Sequence, residues 1–339
     1  MILLTRGNFR ETCLKRDGYQ CAICGSKNDL VVHHIIERRL FENGGYFENN
    51  GISICPSCHI KCEQTLISVE EARKAAGIID KCIPNLFYAD EVIDKFGNVI
   101  LPNGMRMRGP LFDDASVYKI LEPVHHLFTK YVKYPRTWHM FDSPGVRSDD
   151  RVLDNDNQFH GKEVVVSLKK DGECTNMYND FIHARSISNN SHVSRHWVKN
   201  FHSKIAHDIP LNWRICGENL WAKHSIFYDN LETYLYGFSI WNENNQCLNW
   251  DETLEWFSLL GIIPVHVFYR GEYHHDKISS LFLNNYSTEK EEGYVIRLAG
   301  SFHYRDFYKS VAKWVRKSHV TNNEHWFFGK AIEKNLLKK

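Results

Sequence analysis

The pattern of apolar and polar residues along the chain predicts a mixture of short strands, helices and turns. The clearest strand begins at Val164–Val166, an apolar β-branched run that is typical of a buried strand. Asp171-Gly172 is a turn signal that ends it. The other predicted elements are a helix over Arg10–Arg16, a capped helix from Ser68 to Ala76, a strand at Val99–Leu101, a solvated basic strand at Met105–Arg108, and a helix over Val117–Val132 interrupted at Pro123.

Length, apolar content and charge restrict the class of protein to which the chain can belong. The chain has 339 residues, which suffices for two or three domains. No apolar run approaches the roughly 20 residues that a membrane-spanning helix needs, so we expect no membrane association. The net charge is +1, so a nucleic-acid partner would be held by local basic patches rather than by a uniformly basic surface.

Cysteine spacing gives the first chemical signal. Four of the 10 cysteines form two Cys-x-x-Cys pairs about 30 residues apart. Two such pairs can supply four thiolates to one tetrahedral zinc ion, and they favour a metal site in a reducing cytoplasm over a disulfide framework. A segment this small cannot bury a sufficient core alone, so the metal would contribute to folding. The sequence therefore predicts a structural Zn²⁺ ion, held by Cys21, Cys24, Cys55 and Cys58.

The residues between and after these pairs carry a second pattern. His33-His34 follows an apolar run, Asn50 lies about 15 residues further on, and His59 directly follows the last cysteine. Together with the cysteines, this order resembles the HNH endonuclease family, which has a ββα-metal fold. The resemblance implies that His34 is the general base that activates water and that Asn50 fixes its orientation. It also implies that His33 and His59 hold a catalytic divalent metal on the scissile phosphate.

These residue types suit phosphodiester hydrolysis. An imidazole accepts a proton at neutral pH, and a metal ion offsets charge at a phosphate. Two imidazole ligands leave Mn²⁺ and Ni²⁺ as candidates beside Mg²⁺. The alternative is an HNH fold that retains its zinc and serves only as a nucleic-acid clamp.

Lys169 stands two residues before Asp171-Gly172, where the predicted strand ends. Lys-x-Asp-Gly resembles the nucleotidyl-attachment motif of covalent nucleotidyltransferases: DNA ligases, RNA ligases and mRNA capping enzymes. The resemblance implies that Lys169 attacks the α-phosphate of a nucleotide, which requires its pKa to be lowered by burial, nearby cations or metal. Lys170, next to the aspartate, does not fit the spacing. By itself the motif also suits a surface strand end followed by a charged turn.

Further motifs follow Lys169 in a fixed order: an arginine, a strand that ends in Gly-Glu, an aromatic strand, a Glu-Gly-x-Val segment and a final lysine segment. They are His183–Ser186, Arg214–Leu220, Tyr234–Trp241, Glu291–Arg297 and Lys309–Arg316. With these motifs, residues 136–339 resemble a bacterial and phage group of ATP-dependent RNA ligases. The resemblance implies an α+β fold with an antiparallel-sheet nucleotidyltransferase core of the ATP-grasp-like ligase type.

The resemblance also implies a role for each charged residue of these motifs. Adenylation needs positive groups around a triphosphate whose pyrophosphate leaves, and Arg185, Lys313 and Lys309 suit that need. Glu218 would contact the ribose hydroxyls. Glu292 would hold Mg²⁺ or orient the nucleophilic lysine, since Mg²⁺ prefers carboxylate and phosphate oxygens.

Two further roles concern the base and the loop beneath it. Phe238 would stack on the base, and Asp171 would order the loop below the nucleotide. Many relatives in this group carry Glu before the nucleophile and Asn after Asp-Gly-Glu, where this chain has Leu168 and Cys174. These departures bear on adenine specificity rather than on the covalent step.

The motifs together predict a cytoplasmic protein with two activities. We expect an HNH-like zinc domain over 1–65, a connector over 66–135 without apparent chemistry, and an RNA ligase adenylyltransferase domain over 136–339. No oligonucleotide-binding barrel is apparent after Lys313, which favours RNA ligase over most DNA ligases and capping enzymes. The expected cofactors are ATP, Mg²⁺ or Mn²⁺, and Zn²⁺, and the expected partner is RNA. The alternatives are a DNA or DNA/RNA hybrid nick ligase, and a nucleic-acid-binding sensor without one or both activities.

Overall fold

The computed structural model describes residues 2–88, 91–148, 150–185, 187, 192–317 and 332–338. The chain divides into two compact units, the first unit (Met1–Val132) and the second unit (Lys133–Lys339). The sheets are mostly antiparallel, and helices are distributed among them, so the predicted α+β class is confirmed. Within the described residues, no helix combines the length and apolar composition that crossing a membrane requires.

The first unit begins with two helices and, between them, two strands. Its first elements in chain order are α1 (Arg6–Arg16), β1 (Val31–His34), β2 (Gly51–Ile54) and α2 (Pro56–Glu63), with 3-10 turns at Arg38–Leu40 and Glu48–Asn50. β1 and β2 pair antiparallel, with His33 opposite Ile52 and His34 opposite Gly51. α1 lies so close to β2 that a Cβ on Gly51 would meet the Phe9 ring at 2.7 Å, so only glycine permits this packing.

The rest of the first unit contains two short helices and a small sheet. The predicted capped helix is confirmed as α3 (Val69–Ala75), because Ser68 Oγ accepts from Glu71 N at 3.1 Å and the Glu71 carboxylate accepts from Ser68 N at 2.7 Å. The sheet consists of β3 (Val99–Ile100), β4 (Arg106–Met107) and β5 (Phe128–Thr129), with α4 (Ala115–Leu121) between β4 and β5.

Two expectations for this segment were wrong. The predicted helix over 117–132 ends at Leu121, and a 3-10 turn over Glu122–Leu127 leads into β5, because Pro123 offers no N–H to continue the helix. The strand that contains Arg106 is not solvated. Its guanidinium is buried and donates to Asp94 Oδ2 at 3.1 Å and to Thr65 Oγ1 at 2.6 Å. A buried charge requires such partners.

The second unit contains two sheets. Its strands are β6 (Trp138–His139), β7 (Glu163–Lys169), β8 (Glu173–Met177), β9 (Ile182–Ala184), β10 (Arg214–Asn219), β11 (Leu235–Trp241), β12 (Gln246–Cys247), β13 (Ile263–Pro264), β14 (Val267–Glu272), β15 (Gly293–Leu298), β16 (Phe302–His303) and β17 (Val311–Val315). Its helices are α5 (His196–Ile205), α6 (Trp250–Leu259), α7 (His275–Asn285) and α8 (Phe307–Ser310), with 3-10 turns at Val193–Arg195, Ala206–Asp208 and Tyr304–Asp306.

One sheet has seven strands and the other has five. The larger sheet has the order β16-β12-β11-β10-β8-β9, with β13 beside β11. The smaller sheet has the order β14-β7-β15-β17-β6, and all its pairs are antiparallel except β17 with β6. The predicted buried strand is confirmed as β7, whose neighbours on both sides belong to the same sheet.

The register of the smaller sheet decides which side chains share a face. Val295 on β15 lies opposite Ser167 on β7 and opposite Lys313 on β17. Successive side chains of a strand alternate between faces, so Ser167, Lys169 and Lys313 project on one side. The other face carries Val164, Val166 and Leu168, which pack in a core cluster with residues of α7. The sheet therefore buries an apolar face and presents both lysines on the opposite one.

Candidate active sites

A cavity of about 610 Å³ lies between the two sheets of the second unit. Its walls come from β7, β15 and β17 of the smaller sheet and from β8, β10 and β11 of the larger one. The volume falls within the roughly 300–1,000 Å³ that is typical of small-molecule sites. The predicted nucleotide-site residues that line it are Lys169, Arg185, Glu218, Phe238 and Lys313.

Lys169 ends β7 and contacts the residue that precedes β15. Its Nζ donates to Glu292 Oε2 at 2.5 Å. Burial acts to lower the pKa of Lys169, but the charges of Glu292 and Glu218 outweigh it, so the pKa is raised. This direction is opposite to the lowered pKa that the resemblance implies for the nucleophile. Lys170 takes a separate partner, Glu291, at 3.5 Å.

Glu218 lies on β10, across from the turn after Lys169. Its Oε1 accepts a hydrogen bond from Gly172 N at 3.1 Å. Burial raises the pKa of Glu218 to about 8, against the opposing charge of Lys169. A neutral carboxyl group both donates and accepts hydrogen bonds, which suits contact with sugar hydroxyls.

Asp171 lies behind the cavity wall. It is buried and is not among the described residues that line the cavity. Its Oδ2 accepts from Ser225 N at 2.8 Å, Ser225 Oγ at 2.6 Å and Ile226 N at 2.9 Å, and its own N–H donates to Tyr228 Oη at 3.0 Å. Asp171 thus fixes the loop at 225–228, which is compatible with the ordering role expected for it.

Lys313 projects into the cavity from β17 and is held by an acidic residue that the sequence did not indicate. Its Nζ lies 3.5 Å from Asp150 Oδ1, and Asp150 Oδ2 lies 3.1 Å from His139 Nε2. His139 is buried on β6, and its Nδ1 lies 2.8 Å from Ser143 Oγ. Burial lowers the pKa of Lys313, although the charge of Asp150 opposes this. Asp150 was missed because it is remote in sequence and belongs to no motif.

Aromatic side chains form the apolar part of the cavity. Phe238 on β11 lines it, and Tyr134 meets Phe238 edge-on, with ring centroids 4.9 Å apart. Trp250 and Phe302 line the cavity as well. These rings suit a planar base, and of this group only Phe238 was predicted.

The predicted cations are not all brought together. Arg185 lines the cavity although it is exposed to solvent. Arg297, which was not predicted, also lines the cavity and donates to Leu248 O at 2.8 Å. Lys309 is exposed on α8 and is not among the described cavity-lining residues. Its segment turns into a helix before β17 begins, which separates it from Lys313.

The first unit brings the four cysteines of the two pairs together. The sulfur atoms of Cys21, Cys24, Cys55 and Cys58 all lie within 4.8 Å of one another, and those of Cys24 and Cys55 are 3.6 Å apart. Zn–S bonds of about 2.3 Å in a tetrahedral site separate the sulfur atoms by about 3.8 Å. The arrangement therefore fits one structural zinc ion with no open coordination position.

A second cluster of metal-binding side chains contains a residue that sequence reasoning missed. Ligand atoms of His33, His59 and Glu63 all lie within 4.8 Å of one another. Glu63 Oε1 is 3.3 Å from His33 Nδ1 and 3.4 Å from His59 Nε2. Burial lowers the pKa of His33 to about 4, so the ring is neutral at pH 7 and offers a lone pair to a metal. The spacing of four residues between His59 and Glu63 on one helix was the available signal.

His34 and Asn50 are the other two residues expected to take part in hydrolysis, and His34 directly follows His33 in the sequence. His34 stacks on Phe9 with ring centroids 4.7 Å apart, and its Nε2 is buried without a hydrogen-bond partner in the described structure. Burial lowers the pKa of His34 to about 4, so the ring is neutral at pH 7. The Asn50 amide makes its hydrogen bonds with the backbone of Ile36 and Gly45, at 2.9 to 3.1 Å. Asn50 thus holds the chain that follows β1, and it contacts backbone rather than the His34 ring.

Two segments of the chain are similar to known protein families. Residues 162–315 match the family model described as RNA ligase, and residues 21–64 match the one described as HNH endonuclease. A comparison with curated proteins found no significant match.

The solved structures that resemble the chain are distant. Naegleria gruberi RNA ligase with PPi is 20% identical over 55% of this chain and 58% of its own, with a TM-score of 0.37. An archaeal ATP-dependent RNA ligase is 14% identical over 55% and 48%, with a TM-score of 0.37. A provisionally named ATP-dependent DNA ligase from Aquifex aeolicus is 16% identical over 55% and 50%, with a TM-score of 0.38. The chain therefore spans about half of the length of the structures it matches.

The two family-model matches fall on the two sites. The first match contains Lys169, Glu218, Glu292 and Lys313, and the second contains both clusters of metal-binding side chains. The segment 162–315 that contains the cavity residues is therefore similar to the RNA ligase family, and the segment 21–64 that contains both metal-binding clusters is similar to the HNH endonuclease family.

Proposed function

We propose that the second unit is an ATP-dependent RNA ligase that joins a 5′-phosphate end to a 3′-hydroxyl end through a lysyl-AMP intermediate. The observation that carries the proposal is Lys169 at a cavity wall, bonded to Glu292 at 2.5 Å and on the same sheet face as Lys313. The aromatic rings that line this cavity suit a base, and the cations that line it suit phosphates.

The reaction has three steps. Lys169 Nζ attacks the α-phosphorus of ATP, so that a P–N bond forms, the bond to the bridging β-phosphate oxygen breaks, and pyrophosphate leaves. An oxygen of the RNA 5′-phosphate then attacks the same phosphorus, and the P–N bond breaks to release Lys169. Finally the 3′-hydroxyl attacks the phosphorus of the 5′ end, a phosphodiester forms, and AMP leaves.

The first step requires a neutral amine. The ammonium of Lys169 must therefore lose a proton, and Glu292 Oε2 is its hydrogen-bond acceptor. A divalent cation on Glu292 would weaken that carboxylate's hold on Lys169 and lower the pKa of the lysine. Lys313 and Arg185 would offset the charge that develops on the departing pyrophosphate.

A sealing assay tests the substrate class. Wild type and Lys169→Ala are incubated with ATP, Mg²⁺ and matched RNA or DNA strands that carry a 5′-phosphate. We expect joined or adenylylated RNA with wild type and neither product with Lys169→Ala. Faster sealing of DNA nicks than of any RNA end would instead favour the DNA or hybrid nick ligase.

We also propose that the first unit hydrolyses nucleic acid. His34 Nε2 would take a proton from water, while His33, His59 and Glu63 would hold a divalent metal that offsets phosphate charge. The four-cysteine zinc site has no open position, so this chemistry needs the second cluster.

Cleavage assays with DNA and RNA in Mg²⁺, Mn²⁺ or Ni²⁺ test this proposal. We expect wild type to cut and His34→Ala to fail, with its zinc content unchanged. His126→Ala is the matched control, because His126 is an exposed histidine of the same unit. Absence of cleavage by wild type in every metal, or equal cleavage by His34→Ala, would favour the clamp.

A further inference from the structure

A lysine from outside the HNH match reaches the proposed catalytic metal cluster of the first unit. Lys95 Nζ lies 3.0 Å from Glu63 Oε1 and 3.4 Å from His33 Nε2. It also donates to His34 O at 3.2 Å, and Glu37 Oε2 lies 3.9 Å away. The residue is 5% exposed, so its charge is compensated almost entirely by these groups.

The position of Lys95 is fixed by the turn that carries it. Asp94 Oδ1 accepts from Phe96 N at 2.9 Å and from Asn98 N at 3.0 Å, which closes the turn on both sides of the lysine. Asp94 is held in turn by the buried Arg106 guanidinium at 3.1 Å. The carbonyl of Lys95 accepts from Glu37 N at 2.9 Å. The lysine is therefore anchored at its backbone as well as at its ammonium.

The hydrogen bonds of Lys95 conflict with metal binding at the same residues. An ammonium only donates, so the His33 Nε2 atom that faces it must accept. Neutral His33 then carries its proton on Nδ1, which faces Glu63 Oε1 at 3.3 Å. A metal ion needs a histidine lone pair and a free carboxylate oxygen. Lys95 already engages the lone pair of His33 and an oxygen of Glu63.

We propose that Lys95 is a built-in cation that competes with the divalent metal for His33 and Glu63, and so sets the metal affinity of this site. The inference rests on the proposed nuclease function, in which these residues hold the metal. Its physical basis is direct: a fixed positive charge within hydrogen-bond distance of two ligands repels a second cation there.

Metal titration of the full-length protein tests the competition. Zinc-loaded wild type, Lys95→Met and Lys95→Arg are titrated with Mn²⁺, and free Mn²⁺ is followed by electron paramagnetic resonance. Each protein is also prepared with His59→Ala, so that the difference between the two isotherms reports binding at the cluster alone. Methionine keeps the unbranched chain up to its last heavy atom but removes the charge, and arginine keeps the charge.

We expect Lys95→Met to bind Mn²⁺ at the cluster about tenfold more tightly than wild type, and Lys95→Arg to resemble wild type. Structural damage would weaken binding, so a gain in affinity cannot come from misfolding. Unchanged or weaker binding by Lys95→Met would overturn the competition while leaving the metal site in place. If His59→Ala changes no isotherm in any background, the metal site and the nuclease proposal fall together with this inference.

Discussion

Lys169 Nζ and Glu292 Oε2 lie 2.5 Å apart although 123 positions separate the two residues in the sequence. The register of the sheet creates this contact, because Gly293 on β15 lies opposite Lys169 on β7. Gly293 has a φ of 154°, and a Cβ there would lie 2.0 Å from Trp314 O, so β15 can approach β17 this closely only with glycine. The residue before that glycine is thereby presented to the lysine.

The first prediction concerns the charge of Lys169. Because the carboxylate of Glu292 is the main contribution that raises the pKa of Lys169, Glu292→Gln should lower that pKa. The measurement is the pH dependence of amine labelling at Lys169 without ATP, read by peptide mass spectrometry. Glu291→Gln is the matched control, since Glu291 pairs with Lys170, and it should leave the Lys169 profile unchanged.

The second prediction is a dependence of stability on pH. Burial raises the pKa of Glu218 from an ordinary value near 4.5 to about 8. An acid whose pKa is raised by folding favours the folded state when protonated, so this contribution is full below pH ~4.5 and is lost as the pH rises to about 8. Glu218→Gln should therefore flatten the decline in stability of the second unit between about pH 5 and 8.

Urea unfolding followed by tryptophan fluorescence measures this decline selectively. All nine tryptophans of the chain lie in the second unit, so the signal reports that unit alone. Glu173→Gln is a control for loss of a carboxylate in the same cavity. If the free energy of unfolding fell equally with pH in the wild type and in Glu218→Gln, this would contradict the raised pKa of Glu218.

The third prediction separates the two lysines of the last motif. Lys313 lines the cavity and is held by Asp150, whereas Lys309 is exposed on α8. Lys313→Ala should slow formation of the protein–AMP adduct by about a hundredfold or more, the size of effect seen when a transition-state contact is removed. Lys309→Ala should stay within about threefold of wild type. Similar losses in both variants would contradict the placement of the triphosphate.

The fourth prediction concerns the zinc site. Cys55→Ser removes one of the four thiolates, and because metal binding is linked to folding, the first unit should lose its zinc and become sensitive to protease. The second unit has its own core, so its tryptophan fluorescence and its adduct formation should persist. The checks are zinc content, limited proteolysis and adduct mass. Cys82→Ser is the control, since Cys82 lies outside the cluster.

Local patterns predicted the central parts of this molecule. The β-branched run before Lys169 and the turn after it lie within about ten residues of sequence. The run forms β7, and the turn follows the end of that strand. The cysteine pairs are equally local, and their four sulfur atoms do converge. For Lys309, residue type and proximity to Lys313 do not reveal that a short helix lies between them, and its expected role stays a prediction.

The residues that were missed depend on contacts between distant parts of the chain. Lys95 reaches His33 across 62 positions, and Asp150 meets Lys313 only because β6 pairs with β17. Neither belongs to a motif, so no spacing rule finds them. Glu63 could have been predicted from local sequence. Once helix α2 is recognised, the four-residue spacing places Glu63 on the same helix face as His59.

The most direct test of the central claim is the intact mass of the protein after incubation with ATP and Mg²⁺, followed by peptide mapping of the modified lysine. We predict one AMP on the wild-type protein and on Lys170→Ala, attached at Lys169 through an acid-labile bond, and none on Lys169→Ala. AMP that persists on Lys169→Ala, or that maps to another residue, would contradict the assignment of Lys169 as the nucleophile.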